Sequence, residues 1–354
     1  MQVRNAVTPR RRTLYVVPPP GETEDVRYVN DYMAPASSGK KSAKRSKSTK
    51  PQIALPSTEE VTSYLSAFYH GLPVKILTSA RLEFSKWEGT TTPQEPSSTE
   101  SKTTSYIGLT SGTKVTRIRS RASPDSIFAT QLNLQDILDV ALKVLPADAF
   151  AIVMLVHQDL YEDEPDDFCC GRAYGGSRVC VVSTSRYHPG LDERQEVERV
   201  HAWPGSHCGA FVRESCGSDA KAGIGEVSME NGGAMGAAMK AFNALPMPST
   251  DEELATLWLG RVCKTASHEL GHCFGLDHCV YYACVMQATA GLSEDARQPP
   301  YICPADLAKL VTNTGADERE RYEALLVWSE RWSKDRLFSA FAAWLKMRIA
   351  EYGT

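Results

Sequence analysis

The chain has 354 residues, of which 42% are hydrophobic, and a formal net charge of −4 at neutral pH. This length and this hydrophobic fraction are enough for one large domain, or two smaller ones, with a substantial hydrophobic core. The first 50 residues carry 11 Lys and Arg against 4 Asp and Glu, which leaves a charge of −11 on the remainder. Because an acidic body does not favour nucleic-acid binding, we expect no nucleic-acid partner.

The sequence shows neither a signal peptide nor an apolar stretch that could span a bilayer. Its longest apolar run, Ala149–Val156, falls far short of the roughly 20 residues required. Ten cysteines in such a chain are expected to be thiols and metal ligands rather than disulfides. The sequence therefore predicts an intracellular, cytoplasmic monomer without a membrane partner. The basic segment 40–50 suits either a nuclear localisation signal or a solvated linker.

The N-terminal part of the chain mixes polar tracts with short regular elements. Residues 1–50 are rich in Pro, Ser, Lys and Arg and are predicted to be a disordered basic tail. Folded sequence is predicted from residue 51 onward, with a helix at 59–69 and a short strand at 73–77. An insertion at about 86–125, which contains a Thr, Ser, Pro and Glu tract, is predicted to be exposed.

The middle of the chain shows three strand or helix patterns and one irregular segment. Residues 150–156 are a continuous β-prone run, typical of a buried central strand. In residues 178–186 apolar and polar side chains alternate more clearly, which predicts an edge strand. Residues 205–245 are Gly-rich and are predicted to form a long loop. An apolar stripe at helical spacing precedes the central strand: Leu134, Ile137, Leu138, Ala141 and Leu145.

A long helix with metal-ligand spacing follows. Residues 250–253 (Thr-Asp-Glu-Glu) form a capping box, which predicts the start of a helix of about six turns. The helix carries His268 and His272, whose spacing places both rings on one face, one turn apart. Gly275 suits the left-handed conformation that ends a helix, so the chain turns back and His278 reaches the same metal.

Three neutral imidazoles at these positions predict a catalytic zinc ion. They occupy three corners of a tetrahedron and leave the fourth to water, which distinguishes a catalytic site from a closed structural one. Glu269 is poorly placed as a ligand but well placed to hydrogen-bond that water. A chance occurrence of the full pattern is on the order of one in 100,000 chains of this composition. A helix that merely carries these histidines is therefore disfavoured.

The C-terminal sequence is helical from Asp317 onward. One apolar stripe is predicted to pack onto the rest of the domain: Phe338, Phe341, Leu345 and Ile349.

Between the histidines and these helices, the chain has a Cys, a Cys-x-Met and a distant Cys-x-x-Asp. Together with the histidine motif, this order resembles the archaemetzincins, a family of metzincin zinc peptidases. The detailed resemblance covers about residues 130–310. The chain departs from the family pattern at the last position, where the family has a cysteine. The residues that carry the resemblance after the histidines are Cys279, Cys284, Met286, Cys303 and Asp306.

The resemblance implies an α+β, metzincin-like fold: a twisted mixed sheet, a backing helix and an active-site helix, then a mostly helical C-terminal subdomain. It implies an N-terminal subdomain at 51–275, a C-terminal subdomain at 276–354, and Met286 in a tight turn under the metal ligands. It also implies a structural zinc, with Asp306 making the site weaker and more exchangeable than a four-cysteine site. The ligands of this second zinc would be Cys279, Cys284, Cys303 and Asp306.

These features predict a zinc-dependent metallopeptidase in which Glu269 assists the attack of a zinc-bound water on a peptide bond. Short peptides are the expected substrates, because archaemetzincins, the family that this chain resembles, often act poorly on bulk protein. Two alternatives remain: a non-catalytic zinc-stabilised binding or scaffold protein, and a metal-assisted hydrolase of small molecules. The peptide is predicted to pair with the edge strand through Val181, Val182, Ser183 and Thr184.

Overall fold

The computed structural model describes residues 5–24, 26, 53–89, 105–174, 176–205 and 233–352. The chain divides into two compact units, each made of discontinuous segments. The first comprises Met1–Pro51, Val74–Arg186 and His272–Gly275, and the second comprises Gln52–Pro73, Tyr187–Gly271 and Leu276–Thr354. The predicted division into continuous subdomains at 51–275 and 276–354 is therefore not observed.

The first unit contains two mixed β-sheets. Its strands are β1 (Thr13–Val17), β2 (Gly21–Glu22), β3 (Val74–Ile76), β4 (Leu82–Ser85), β5 (Ser105–Ser111), β6 (Lys114–Ala122), β7 (Thr130–Asn133), β8 (Ala149–Val156), β9 (Leu160–Tyr161), β10 (Gly171–Ala173) and β11 (Val179–Ser183). The five-stranded sheet has the order β10-β11-β8-β1-β3 and is parallel except for β10. The six-stranded sheet has the order β2-β4-β5-β6-β7-β9, with antiparallel pairs in its middle and a parallel pair at each end.

Strand β8 lies at the centre of the five-stranded sheet, and every one of its residues is buried. Its main chain pairs with β11 on one side and β1 on the other, which suits a continuous apolar run without alternation. Helix α2 (Leu134–Lys143) precedes it, and Asn133 caps this helix by accepting from the Asp136 N–H. Both predicted elements are confirmed, and their apolar residues share one hydrophobic core.

The prediction that residues 1–50 are entirely a disordered tail is wrong. Strand β1 lies between β8 and β3, and its apolar residues Leu14, Val16 and Val17 are fully buried. Five residues flanked by arginines and prolines are too short a run to reveal periodicity, so only the long-range pairing identifies the strand. Residues 27–50, which contain the basic segment 40–50, lie outside the described residues.

The predicted insertion at 86–125 also contains regular structure. Strands β5 and β6 form a hairpin in the six-stranded sheet, and Ile107, Leu109 and Ile118 are buried in the core. The expectation of an exposed insertion is therefore wrong for this part. The polar tract at 90–104 lies outside the described residues.

Strand β11 was predicted to lie at a sheet edge, and this prediction is wrong. It lies between β8 and the three-residue strand β10, with Gly171 opposite Val182 in an antiparallel ladder. All five of its residues are buried. The sequence of β10 is too short to show a strand pattern, so nothing in the sequence indicated that this edge is covered.

A buried ion pair links the segments that follow β8 and β11. The Arg186 guanidinium is fully buried, and its Nε donates to Asp159 Oδ1 at 2.8 Å. Arg186 also donates to Asp125, and Gln131 donates to Asp159 at 2.9 Å. Removing one partner of such a pair typically costs about 3–5 kcal/mol, because the remaining charge is left buried without compensation.

The second unit is mainly helical. The helix predicted at 59–69 and the helical C-terminus are confirmed. The predicted loop at 205–245 ends in a helix instead, and residues 206–232 lie outside the described residues. The helices are α1 (Thr58–Phe68), α3 (Ala234–Ala244), α4 (Asp251–Cys273, whose last two residues group with the first unit), α5 (Leu292–Arg297), α6 (Pro304–Thr314), α7 (Glu318–Glu330) and α8 (Arg336–Glu351).

Aromatic side chains join α1, α7 and α8. The ring of Trp328 lies edge-on to Tyr64 at 5.0 Å and to Phe338 at 4.8 Å. Phe341 and Leu345 are fully buried, as the apolar stripe predicts. The predicted α+β class is confirmed, with a second sheet that the sequence did not indicate. Within the described residues, none of the helices combines the length and apolar character needed to cross a membrane.

Candidate metal centres

Helix α4 begins and ends as its sequence predicts. At its start, the Glu253 N–H donates to Thr250 Oγ1 at 3.2 Å, and the Thr250 N–H donates to Glu253 Oε2 at 3.0 Å. At its end, Gly275 has a φ of +77°. The Gly275 N–H donates to the His272 carbonyl at 3.0 Å, and the Leu276 N–H donates to the Gly271 carbonyl at 3.1 Å. This Schellman motif reverses the chain immediately after the second histidine.

The structure brings His268, His272 and His278 together. Each offers one ring nitrogen, and these three atoms lie within 4.8 Å of one another. Nitrogens bound to one zinc at about 2.0–2.1 Å lie roughly 3.4 Å apart, so a small contraction would complete the site. His268 is 9% exposed, whereas His278 is open to solvent. Three imidazoles thus converge on one point.

A main-chain contact selects the tautomer of His268. Its Nδ1 lies 2.6 Å from the Val285 carbonyl oxygen. Because a carbonyl only accepts, Nδ1 carries the proton and Nε2 keeps the lone pair that a metal needs. The sequence did not indicate this contact, because a main-chain carbonyl leaves no signal in residue identity.

Met286 packs against the helical turn between the two histidines of α4. A Cβ atom on Gly271 would lie 2.5 Å from Met286 Sδ, so a larger residue there would displace the Met286 side chain. The Cys279 N–H donates to the Met286 carbonyl at 2.8 Å, which holds the segment in place. Glu269 lies on the same turn and is 7% exposed. Gly271 was not singled out from the sequence as a packing position, although it stands inside the histidine motif.

A second cluster consists of three cysteines and one aspartate, whose ligand atoms also lie within 4.8 Å of one another. Cys279 Sγ is 3.9 Å from Cys303 Sγ, and Asp306 Oδ2 is 3.9 Å from Cys284 Sγ and 3.5 Å from Cys303 Sγ. Sulfurs bound to one zinc at about 2.3 Å lie roughly 3.8 Å apart. All four predicted ligands are therefore brought together.

Main-chain donors surround the sulfurs of this cluster. Cys284 Sγ accepts from the N–H groups of Met286 at 3.4 Å and Cys303 at 3.2 Å, and Cys303 Sγ accepts from the Asp306 N–H at 3.4 Å. Burial raises the pKa of both the Cys284 and the Cys303 thiols, and neighbouring thiols raise it further. Several thiolates in so little water require a nearby cation, so the donor set fits zinc.

Asp306 presents one oxygen to the sulfurs and the other to a lysine. Its Oδ1 accepts from Lys309 Nζ at 2.8 Å, which orients Oδ2 toward the cysteines. Three thiolates, one carboxylate and a zinc ion sum to a charge of −2, and the Lys309 ammonium offsets part of it.

If Asp306 is the fourth ligand, two substitutions should change metal affinity in opposite directions. We expect Asp306→Cys to tighten zinc at this cluster about tenfold, because thiolate binds zinc more strongly than carboxylate here. Asp306→Ala should weaken it by a similar factor. Competition with a chromophoric chelator measures both. Equal affinities in all three proteins would show that Asp306 does not bind the metal.

The four residues predicted to bind substrate are buried. The main chains of Val181 and Val182 pair with β8 and β10, and Ser183 donates from Oγ to the Gln158 carbonyl at 2.7 Å. Thr184 Oγ1 lies 2.9 Å from His157 Nδ1. The prediction for these residues depended on an edge strand, and β11 is not one.

Sequence comparison finds a matching peptidase family model and several archaemetzincin relatives. The sequence model of Peptidase family M54 matches residues 240–311, the segment that holds both clusters. The chain is 28% identical to human Archaemetzincin-2 over 275 residues, covering 78% of this chain and 59% of that protein. It is 31% identical to Archaemetzincin-2 of Macaca fascicularis over 198 residues, covering 56% of this chain and 46% of that protein. The chain thus spans about half the length of these relatives.

Solved structures also match. An archaemetzincin from Methanopyrus kandleri has a TM-score of 0.40 and 16% identity, covering 87% of this chain and 98% of that one. An archaemetzincin from Archaeoglobus fulgidus, crystallised with malonate, has a TM-score of 0.37 and 15% identity, covering 84% and 99%.

Proposed function

We propose that this chain, which belongs to the archaemetzincin family, is a zinc-dependent metallopeptidase that hydrolyses short peptides. The observation that carries this proposal is the convergence of three ring nitrogens on one point, next to a carboxylate on the same helical turn. With three protein ligands the fourth corner of a zinc tetrahedron stays open for reaction, as catalytic sites require.

His268, His272 and His278 would hold the catalytic zinc. When bound by three neutral imidazoles, zinc supplies a Lewis acid and lowers the pKa of a coordinated water toward about 7. Glu269 would take the proton from the attacking water and then deliver it to the leaving amine. The Val285 carbonyl supports metal binding by His268, because it keeps the ring proton on Nδ1 and leaves the lone pair on Nε2.

Cys279, Cys284, Cys303 and Asp306 would hold a second, structural zinc. This cluster offers four protein ligands, which is typical of closed sites without a reactive position. It lies next to the catalytic ligands in the chain, since Cys279 follows His278 directly. Its metal would fix the segment that carries Val285 and Met286.

The proposal is tested by incubating the zinc-loaded protein with a peptide library and analysing the products by mass spectrometry. We expect cleavage of short peptides that a chelator abolishes and added zinc restores. If the zinc-loaded protein leaves every peptide intact, the alternative of a non-catalytic, zinc-stabilised binding protein gains support. The cytoplasmic location and the monomeric state stay predictions from the sequence.

A further inference from the structure

A buried polar side chain lies next to His268. Gln298 is 4% exposed, and its Nε2 lies 2.9 Å from the Gln287 carbonyl oxygen and 3.5 Å from His268 Nδ1. Because a carbonyl only accepts, the side-chain atom that faces it must be the amide nitrogen. The hydrogen bond to Gln287 therefore defines the orientation of the Gln298 amide.

Gln298 contacts the segment 284–287, which also carries the hydrogen-bond acceptor of His268. The Nδ1 proton of His268 is already donated to the Val285 carbonyl at 2.6 Å, so the longer approach of Gln298 is a packing contact. The Gln298 amide holds the Gln287 carbonyl, and the Tyr301 carbonyl accepts from the Val285 N–H at 2.8 Å. These two hydrogen bonds fix the segment whose Val285 carbonyl orients the histidine ring.

A buried lysine holds Gln298 in turn. Lys264 is 3% exposed, and its Nζ donates to the carbonyls of Asp295 at 2.6 Å and Gln298 at 3.2 Å. These carbonyls lie at the C-terminal end of α5, where a cation interacts favourably with the helix dipole. Lys264 stands four residues before His268 on α4, so both side chains leave the same face of that helix.

We propose that Gln298 is a positioning residue for the metal ligand His268, and that Lys264 keeps Gln298 in place. This inference rests on the proposed function, because it takes His268 as a ligand of the catalytic zinc. Without the amide of Gln298, the Val285 carbonyl loses its fixed direction. The His268 proton can then move to Nε2, where it blocks the metal. Direct polar partners of ligating histidines typically contribute 10–100-fold to metal affinity, and Gln298 acts one contact further away.

The test is the zinc affinity of Gln298→Met in the full chain. Methionine keeps the length and burial of the side chain but cannot donate to Gln287. We expect zinc at the histidine site to bind up to about tenfold more weakly, with a smaller change at the cysteine cluster. Cobalt substitution separates the two sites, since only the cysteine cluster gives sulfur-to-metal absorption.

Two further measurements separate positioning from a general loss of stability. NMR of ¹⁵N-labelled histidine should show His268 protonated at Nδ1 in the wild type and a tautomer mixture in Gln298→Met. Lys264→Met should weaken the histidine site in the same direction. Gln158→Met, at a buried glutamine of the first unit, is the matched control and should leave both affinities unchanged.

The outcomes distinguish this inference from the proposed function. If the wild type binds no zinc through its histidines, both are overturned. If the wild type binds zinc there and Gln298→Met binds it equally well, only the positioning role is overturned.

Discussion

Replacing Glu269 by glutamine should leave zinc bound at the histidine site but lower kcat/KM for peptide hydrolysis by about 10²–10⁴ or more. Glutamine has the size of glutamate and hydrogen-bonds water, but it cannot accept the proton that the water must lose. Glu269 stands directly after the ligand His268 on the last turns of α4, so the substitution leaves the ligands themselves unchanged. Zinc content by mass spectrometry and the cleavage rate of a library-derived peptide measure the two effects separately.

Glu252→Gln is the matched control, because it makes the same chemical change at an exposed position in the first turn of the same helix. We expect its activity and zinc content to equal those of the wild type. Full activity in Glu269→Gln would exclude Glu269 from proton transfer. Loss of zinc in that variant would instead assign Glu269 to metal binding.

Replacing Cys284 by alanine should remove the second metal and strongly destabilise the protein. Cys284 is fully buried, and its sulfur accepts from the N–H groups of Met286 and Cys303. Each buried donor left without an acceptor costs about 1–3 kcal/mol, to which the lost metal adds. We expect the midpoint of thermal unfolding to fall by about 10 °C or more. Zinc at the histidine site should also bind more weakly, because Val285 is the next residue in the chain.

Cys263→Ala is the control for this variant. Cys263 is a fully buried cysteine of α4 that does not belong to the metal cluster. It should lower the unfolding midpoint by only a few degrees, because one small side chain is lost from the core. Equal zinc content and equal unfolding midpoints in Cys284→Ala and the wild type would contradict a structural metal at this cluster.

The predictions that the structure confirms depend on residues close together in the chain. The capping box, the length of α4 and the turn at Gly275 are local, because each is made by hydrogen bonds over three to five residues. The spacing of His268 and His272 likewise follows from one helical turn. Residue types and short separations therefore predicted the three histidines that the structure brings together as candidate metal ligands.

The failures concern partners that lie far away in the chain. Strand β1 is recognised only through its pairing with β8, more than 130 residues later, and β11 loses its edge position only because β10 pairs with it. The hairpin of β5 and β6 was not predicted, because the polar tract before it led the whole segment to be interpreted as an exposed insertion. Strands β1 and β10, with five and three residues, are too short for their patterns to appear without their neighbours.

By itself, the amino-acid sequence determined which groups are available to the proposed chemistry: the identity and spacing of the histidines, the adjacent carboxylate, and the order of the cysteines. The tertiary structure alone decided how those groups are held. The Val285 carbonyl selects the tautomer of His268, Met286 packs against Gly271, and the sulfurs of Cys279 and Cys303 lie 3.9 Å apart although 24 residues separate them in the chain. The physical reason is that ligand spacing is set by local helix geometry, whereas orientation depends on contacts that exist only once distant segments have packed together.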